Sequence, residues 1–157
     1  MTRSRLMAKW VGCTLAVIVL AGPQVAGQIA KPDAHGFVSL QPGELQPKSG
    51  ETSVIIMGDP SKPGLYVLRN TFAPGRTSKP HFHSQDRYIT VIKGTWWVHM
   101  GPESDVYDMS KTVPMKPGSF VFHPAGGHHY DGAKDEETVV QIMGMGPVTT
   151  TQINPGQ

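Results

Sequence analysis

One stretch of the sequence, residues 75–94, reads GRTSKPHFHSQDRYITVIKG. At its centre stand His81, Phe82 and His83, and a run of β-branched residues that favours a strand follows shortly after them. Successive side chains of a β-strand point to opposite faces, so His81 and His83 are predicted to face the same way. Two imidazoles on one face of a strand supply half of a metal site.

Towards the N-terminus, residues 1–27 are predicted to be a secretory signal peptide. Arg3, Arg5 and Lys9 precede an apolar run at residues 10–22, which is short for a bilayer-spanning helix and is followed at once by Pro23 and small residues. An uncleaved membrane anchor is the alternative interpretation. The protein is therefore expected to be exported, to a periplasmic or extracellular location.

Composition excludes several classes of function for the mature chain. The single cysteine, Cys13, lies in the predicted signal peptide, so disulfides and thiolate catalysis are excluded and a metal has to be held by nitrogen and oxygen ligands. The chain has 14 Lys and Arg against 12 Asp and Glu, and three of the basic residues belong to the signal peptide. The mature protein is then nearly neutral, and neither a nucleic acid nor a membrane surface is expected as its partner.

The remaining chain predicts one all-β domain. Residues 28–50 are rich in Pro, Gly and Gln and are interpreted as an extended arm, with one short strand at residues 37–40. Residues 51–146 alternate short β-rich runs with Gly and Pro turns and lack any ten-residue helical pattern, which favours a sandwich or barrel. The strands are predicted at residues 52–57, 65–72, 88–92, 95–100, 119–123, 128–130 and 138–143. Residues 147–157 are interpreted as a C-terminal tail.

Two motifs make the resemblance specific. Residues 75–94 resemble the first motif of the cupins, G(x)5HxH(x)3–4E(x)6G, at every position but one, and residues 118–129 resemble the second, G(x)5PxG(x)2H. The resemblance implies an antiparallel jelly-roll barrel, the cupin fold, with a metal at its centre. It also implies three metal ligands, His81 and His83 from the first motif and His129 from the second. Fe, Mn, Zn and Cu all suit imidazole nitrogen, so the sequence leaves the choice of divalent metal open.

The exception is Arg87, which stands where the family has a glutamate ligand. A guanidinium carries only hydrogen-bond donors and stays protonated, so it cannot ligate a metal. Three arrangements remain open: a three-histidine site, a site completed by His123, or a site completed by Asp86 or Gln85 through an altered turn.

Two functions follow as hypotheses. The first is a mononuclear metal-dependent enzyme for a small organic substrate, with dioxygenase-like chemistry favoured. In it Arg87 holds an anionic group, and Tyr130 or His123 donates a proton. The second is a non-catalytic module that binds a small molecule or a metal, which the missing glutamate favours. A homodimer is also expected, because exposed strand edges and an N-terminal arm both offer pairing surfaces.

Overall fold

The computed structural model describes residues 29–154, so the predicted signal peptide at residues 1–27 lies outside the described residues. Short strands and tight turns make up the described part, and its only helical segments are three 3₁₀ turns, Pro42–Leu45, Pro102–Asp105 and Met109–Lys111. The strands within residues 29–154 are β1 (Ser53–Met57), β2 (Gly64–Phe72), β3 (His81–His83), β4 (Arg87–Lys93), β5 (Trp96–Met100), β6 (Val113–Met115), β7 (Phe120–His123), β8 (His129–Gly132), β9 (Thr138–Gly146) and β10 (Thr150–Gln152). None of the described helical segments is long and apolar enough to cross a membrane.

The strands form two five-stranded antiparallel sheets. The first sheet has the order β1-β2-β9-β4-β7, and the second has the order β10-β3-β8-β5-β6. The predicted all-β jelly-roll fold is confirmed by these two sheets. Their facing surfaces enclose an apolar core of nine buried residues, Tyr66, Leu68, Ile89, Val91, Trp96, Val98, Val121, Val140 and Ile142.

Side-chain alternation explains which residues enter the barrel. In β9, Val140 and Ile142 are buried while Met143 and Met145 are exposed, as the two-residue period of a strand requires. The adjacent tryptophans of β5 face opposite ways for the same reason. Trp96 is 2 % exposed in the core, whereas the ring of Trp97 contacts the Lys134 ammonium at 3.6 Å.

The structure differs from the sequence predictions at both ends. Residues 37–40 form no strand, because their backbone pairs with no neighbouring strand and Phe37 is exposed. The predicted tail contains β10, which pairs with β3 in register, Thr150 with His83 and Gln152 with His81. Neither β6 nor β10 was predicted, since three-residue strands carry too little pattern to be recognised alone.

The outer surface of the first sheet carries several exposed apolar side chains. Val67 on β2 lies beside Met143 on β9, Met143 beside Tyr88 on β4, and Tyr88 beside Phe122 on β7. The rings of Tyr88 and Phe122 are 5.4 Å apart. We call this surface the outer apolar face; its exposed members are Leu65, Tyr88, Phe120, Phe122, Met143 and Met145.

Candidate metal centre

Three histidines meet inside the barrel on two neighbouring strands. His81 and His83 occupy alternate positions of β3, and His129 is the register partner of His81 at the start of β8. All three are buried, and their ligand nitrogens lie within 4.8 Å of one another. Among residues 29–154, the predicted triad is therefore a group of side chains able to hold one metal ion.

A glycine turn delivers His129 to this position. Gly126 has a φ of +73°, a conformation that residues other than glycine rarely adopt. Its amide donates to the carbonyl of His83 at 2.8 Å, which ties the turn before β8 to the end of β3. This contact fixes the turn that precedes His129.

Backbone carbonyls orient two of the rings. Nδ1 of His81 donates to the carbonyl of Lys79 at 2.7 Å, and Nδ1 of His129 donates to the carbonyl of Gly127 at 2.9 Å. A carbonyl oxygen only accepts, so in both rings the proton is on Nδ1 and Nε2 keeps its lone pair. Hydrogen bonds of this kind are what hold metal-ligating histidines in place.

Burial keeps two of the imidazoles neutral. It lowers the pKa of His83 to about 2, with further contributions from nearby Arg87 and the other two histidines. It likewise lowers the pKa of His129 to about 3. Because only a neutral imidazole binds a metal, these two ligands need not lose a proton near neutral pH.

Arg87 approaches the centre from the other sheet. It begins β4, where its register partners are His123 on β7 and Gly144 on β9. Its Nη1 donates a hydrogen bond to Nε2 of His83. Since arginine can only donate, Nε2 is the acceptor, and the proton of His83 is on Nδ1, which lies 3.0 Å from the Thr150 hydroxyl.

A second residue lies against the guanidinium. The hydroxyl of Tyr66, a fully buried residue of β2, interacts with the charge of Arg87. Gly144 leaves room for that hydroxyl, because a Cβ at that position would lie 2.8 Å from it. The Nε of Arg87 is buried and, among the described residues, has no hydrogen-bond partner. The guanidinium is thus bonded to His83 through Nη1 and keeps its Nε donor for a ligand.

His123 is close to the triad without joining it. Its ring lies 3.9 Å from that of His129, and neither of its nitrogens has a hydrogen-bond partner among the described residues. Burial lowers the pKa of His123 to about 2. It lies outside the group whose ligand nitrogens converge, so its role as a fourth ligand stays a prediction.

The centre opens into a cavity of about 290 Å³. Its polar wall includes Asp131, which accepts a hydrogen bond from the Ser78 hydroxyl at 2.9 Å. Burial raises the pKa of this carboxyl. Asp131 was not among the predicted site residues, although its place two residues after His129 in a strand puts it on the same inner face. A larger surface depression of about 340 Å³, beside Lys79 and Tyr107, contains none of the histidines.

Three residues considered from the sequence lie elsewhere. The hydroxyl of Tyr130 donates to the carbonyl of Asp108 at 2.7 Å, and its ring packs on His99 and Tyr107, on the outer side of β8. The geometry therefore gives no support to Tyr130 as a proton donor. His128 faces outward as expected, with Nδ1 2.5 Å from Asp105. Asp86 accepts from the Ala125 amide at 2.8 Å and serves the turn before β8.

The residues present fit a metal ion at three positions. The triad supplies three nitrogen donors, and Nε2 of His129 is buried with no hydrogen-bond partner among the described residues. Three histidines with open positions are a usual donor set for zinc and for redox metals. The group that competes for this site is Arg87, which already donates to Nε2 of His83.

Comparisons with known proteins agree with this fold. Residues 68–143 match the family described as Cupin domain. The structure resembles the DMSP lyase DddQ from Ruegeria pomeroyi DSS-3, with a TM-score of 0.55 and 16 % identity over 67 % of this chain and 52 % of that one. It also resembles the polyketide cyclase RemF from Streptomyces resistomycificus, with a TM-score of 0.52 and 18 % identity over 66 % of this chain and 72 % of that one.

A third similar structure is a cupin-2 domain protein from Rhodospirillum rubrum, with a TM-score of 0.53 and 14 % identity over 66 % of this chain and 65 % of that one. The chain spans about half the length of the DMSP lyase it matches. No curated protein matches the sequence. At these identities the likeness is one of fold, the cupin jelly roll.

Proposed function

Because residues 68–143 match the family described as Cupin domain, we propose that this protein is a mononuclear metal-dependent enzyme that acts on a small anionic organic substrate inside the barrel. The observation that carries the proposal is the convergence of three buried imidazoles from His81, His83 and His129 beside a cavity that His81 and His83 line. Sites built in this way are the usual setting for catalysis by a single ion.

The substrate is proposed to be anionic because the cationic guanidinium of Arg87 lies beside the metal-ligating histidines. Arg87 is hydrogen-bonded to His83 and lies beside Tyr66, and its Nε has no hydrogen-bond partner among the described residues. A guanidinium in low-dielectric surroundings binds a carboxylate or an enolate through charge-assisted hydrogen bonds. Arg87 would therefore orient the substrate, while the hydrogen-bonded Asp131 and Ser78 line the opposite, polar part of the cavity.

Dioxygenase-like chemistry is the reaction class we propose. A bound iron, manganese or copper ion would supply the redox and dioxygen-binding capacity that no side chain of the mature chain provides. The chain's own contribution is to hold the substrate at Arg87 and to keep the histidines neutral. The solved structures of similar fold carry the names of a lyase and a cyclase, and a shared fold does not select among such reactions.

A non-catalytic binding function is the second candidate. The contact between Arg87 and Nε2 of His83 favours it, because the guanidinium occupies a lone pair that a metal requires. In that case the barrel would bind an organic anion at Arg87 without a metal.

Export and self-association complete the proposal. We expect the signal peptide to be removed near residue 27. The mass of the protein secreted by its own cell type would identify the first residue of the mature chain.

The outer apolar face is proposed to pair with the same face of a second copy. Its six side chains, 40 % to 63 % exposed, offer roughly 600 Å² of apolar surface. That area approaches the roughly 800 Å² that each partner buries in a stable interface.

The deciding experiment is elemental analysis of residues 28–157, purified without chelator or affinity nickel. We expect near-stoichiometric iron, manganese, copper or zinc, which is lost in the His81→Ala/His83→Ala double variant. His35→Ala is the matched control, because His35 is exposed on the N-terminal arm. Absence of metal after reconstitution, together with binding of organic anions, would replace the enzyme by the binding module.

A further inference from the structure

Two cations require the same nitrogen atom. His83 belongs to the triad able to hold a metal, and its Nδ1 lies 3.0 Å from the Thr150 hydroxyl, so Nε2 is the nitrogen left for a metal. That same Nε2 accepts a hydrogen bond from Arg87. One lone pair cannot serve both partners. A metal ion at the triad would therefore displace the guanidinium from His83 and leave a second positive charge close by in a buried, weakly screened place.

We propose that Arg87 makes the metal and a substrate carboxylate bind cooperatively, each strengthening the other. This inference rests on the proposed function and adds to it a substrate class and a binding linkage. The carboxylate accepts from the guanidinium after it leaves His83, and its negative charge offsets the repulsion between guanidinium and metal. Without the carboxylate, the metal competes against Arg87 for Nε2. The coupling is reciprocal by thermodynamic necessity.

Cooperative binding requires the guanidinium to turn away from His83 within the cavity. The hydroxyl of the buried Tyr66 lies beside it and favours its charged form. Its Nε proton, unpartnered among residues 29–154, is available for a bidentate contact with a carboxylate. Asp131 lies near enough to interact with this charge, but its hydrogen bond comes from Ser78, and the described contacts include none between its carboxylate and Arg87.

The lining of the cavity is mixed. Beside Arg87 and the histidines it has the apolar side chains Phe72, Ile89, Trp96, Val140 and Ile142, and the polar side chains Asn70, Ser78, Asp131, Thr150 and Gln152. The guanidinium is the group in this wall that favours a carboxylate, and the apolar side chains accept an apolar part of the same ligand. Benzoate is a suitable probe because it combines both parts, and benzamide is its uncharged counterpart of equal shape.

The test measures Co²⁺ affinity from its visible absorption on metal-free protein, with no ligand, with benzoate and with benzamide. We expect benzoate to lower the Kd for Co²⁺ by at least about tenfold, and Co²⁺ to lower the Kd for benzoate by the same factor. Benzamide is expected to leave the Co²⁺ affinity unchanged. An equal Co²⁺ affinity in all three conditions would overturn the coupling and leave the metal site standing.

Substitution of the arginine separates the linkage from the site. Arg87→Gln is expected to bind Co²⁺ more tightly than the wild type without benzoate, and to show no benzoate effect. Arg69→Gln is the matched control, because Arg69 lies on the outer side of β2 and bonds Gln141. It is expected to keep the full coupling. Should Arg87→Gln fail to fold, Arg87→Lys retains the charge without the planar fork and is expected to keep only part of the coupling.

Two further results would count against the inference in different ways. Persistence of the benzoate effect in Arg87→Gln would show that another group carries it. Failure of the wild type to bind Co²⁺ in any condition would refute the proposed metal function itself. The two failures are therefore distinguishable by the metal titration alone.

Discussion

The guanidinium of Arg87 donates a hydrogen bond to Nε2 of His83, across the barrel from one sheet to the other. The contact places a permanent cation on the nitrogen that a metal would use. It also connects the metal triad to Tyr66 of β2, whose hydroxyl lies beside the same guanidinium.

Replacement of Arg87 by glutamate is expected to strengthen metal binding. The substitution frees Nε2 of His83 and brings a carboxylate to the position of a fourth ligand. We expect Arg87→Glu to retain metal through dialysis against a chelator that strips the wild type, with Kd lower by at least about tenfold. Elemental analysis provides the measurement. Arg69→Glu makes the same charge change outside the barrel and should behave as the wild type; equal retention in all three proteins would contradict the proposed role of Arg87.

Gly144 is predicted to be intolerant of a side chain. A Cβ there would lie 2.8 Å from the Tyr66 hydroxyl and 2.9 Å from the carbonyl of Asp86, which has no freedom to move away. Gly144→Ala is expected to lower the free energy of unfolding by about 1–3 kcal/mol. It should also release Tyr66 from Arg87. Chemical denaturation checks the loss of stability, and Gly43→Ala is the control, since no atom lies within 4 Å of a Cβ at Gly43.

Acidification is predicted to destabilise the metal-free protein. Burial lowers the pKa of His83 and His123 to about 2 and that of His129 to about 3, whereas an unfolded histidine titrates near 6.5. At a pH between the folded and the unfolded pKa values, the unfolded state binds more protons than the folded state. The free energy of unfolding therefore falls as the pH drops below about 6.5. Each histidine contributes a slope of about 1.4 kcal/mol per pH unit.

Replacement of one histidine isolates this effect. His123→Leu removes a buried titrating group that has no hydrogen-bond partner in the described residues. We expect a shallower loss of stability between pH 6 and pH 4, measured by urea denaturation at each pH. His35→Leu, on the exposed arm, should keep the wild-type slope. An unchanged slope in His123→Leu would mean that other groups carry the pH dependence.

A charge on the outer apolar face is predicted to prevent self-association. Tyr88 lies between Met143 and Phe122 in the middle of that face. Light scattering coupled to size exclusion is expected to give twice the chain mass for the wild type and the single mass for Tyr88→Lys. Phe37→Lys, which alters an exposed arm residue, should remain dimeric. A monomeric wild type at every concentration tested would exclude the proposed interface.

Strand periodicity accounts for what was predictable about the site. His81 and His83 share a face because they are two residues apart, and the two-motif resemblance pairs them with His129; the structure brings all three together. The same alternation applies to Trp96 and Trp97. Other predictions depended on a short local pattern, and one of them, the strand at residues 37–40, is absent from the structure.

The sequence by itself determined the β-strand pattern, the jelly-roll resemblance and the three histidines, because each depends on residue types at short, regular spacing along one chain. Only the tertiary structure decided what surrounds them. Tyr66 and Arg87 are 21 positions apart and come into contact because both lie beside Gly144 on β9. Strand order and register set such cross-sheet contacts, and the local pattern of one strand contains no information about its neighbour's register.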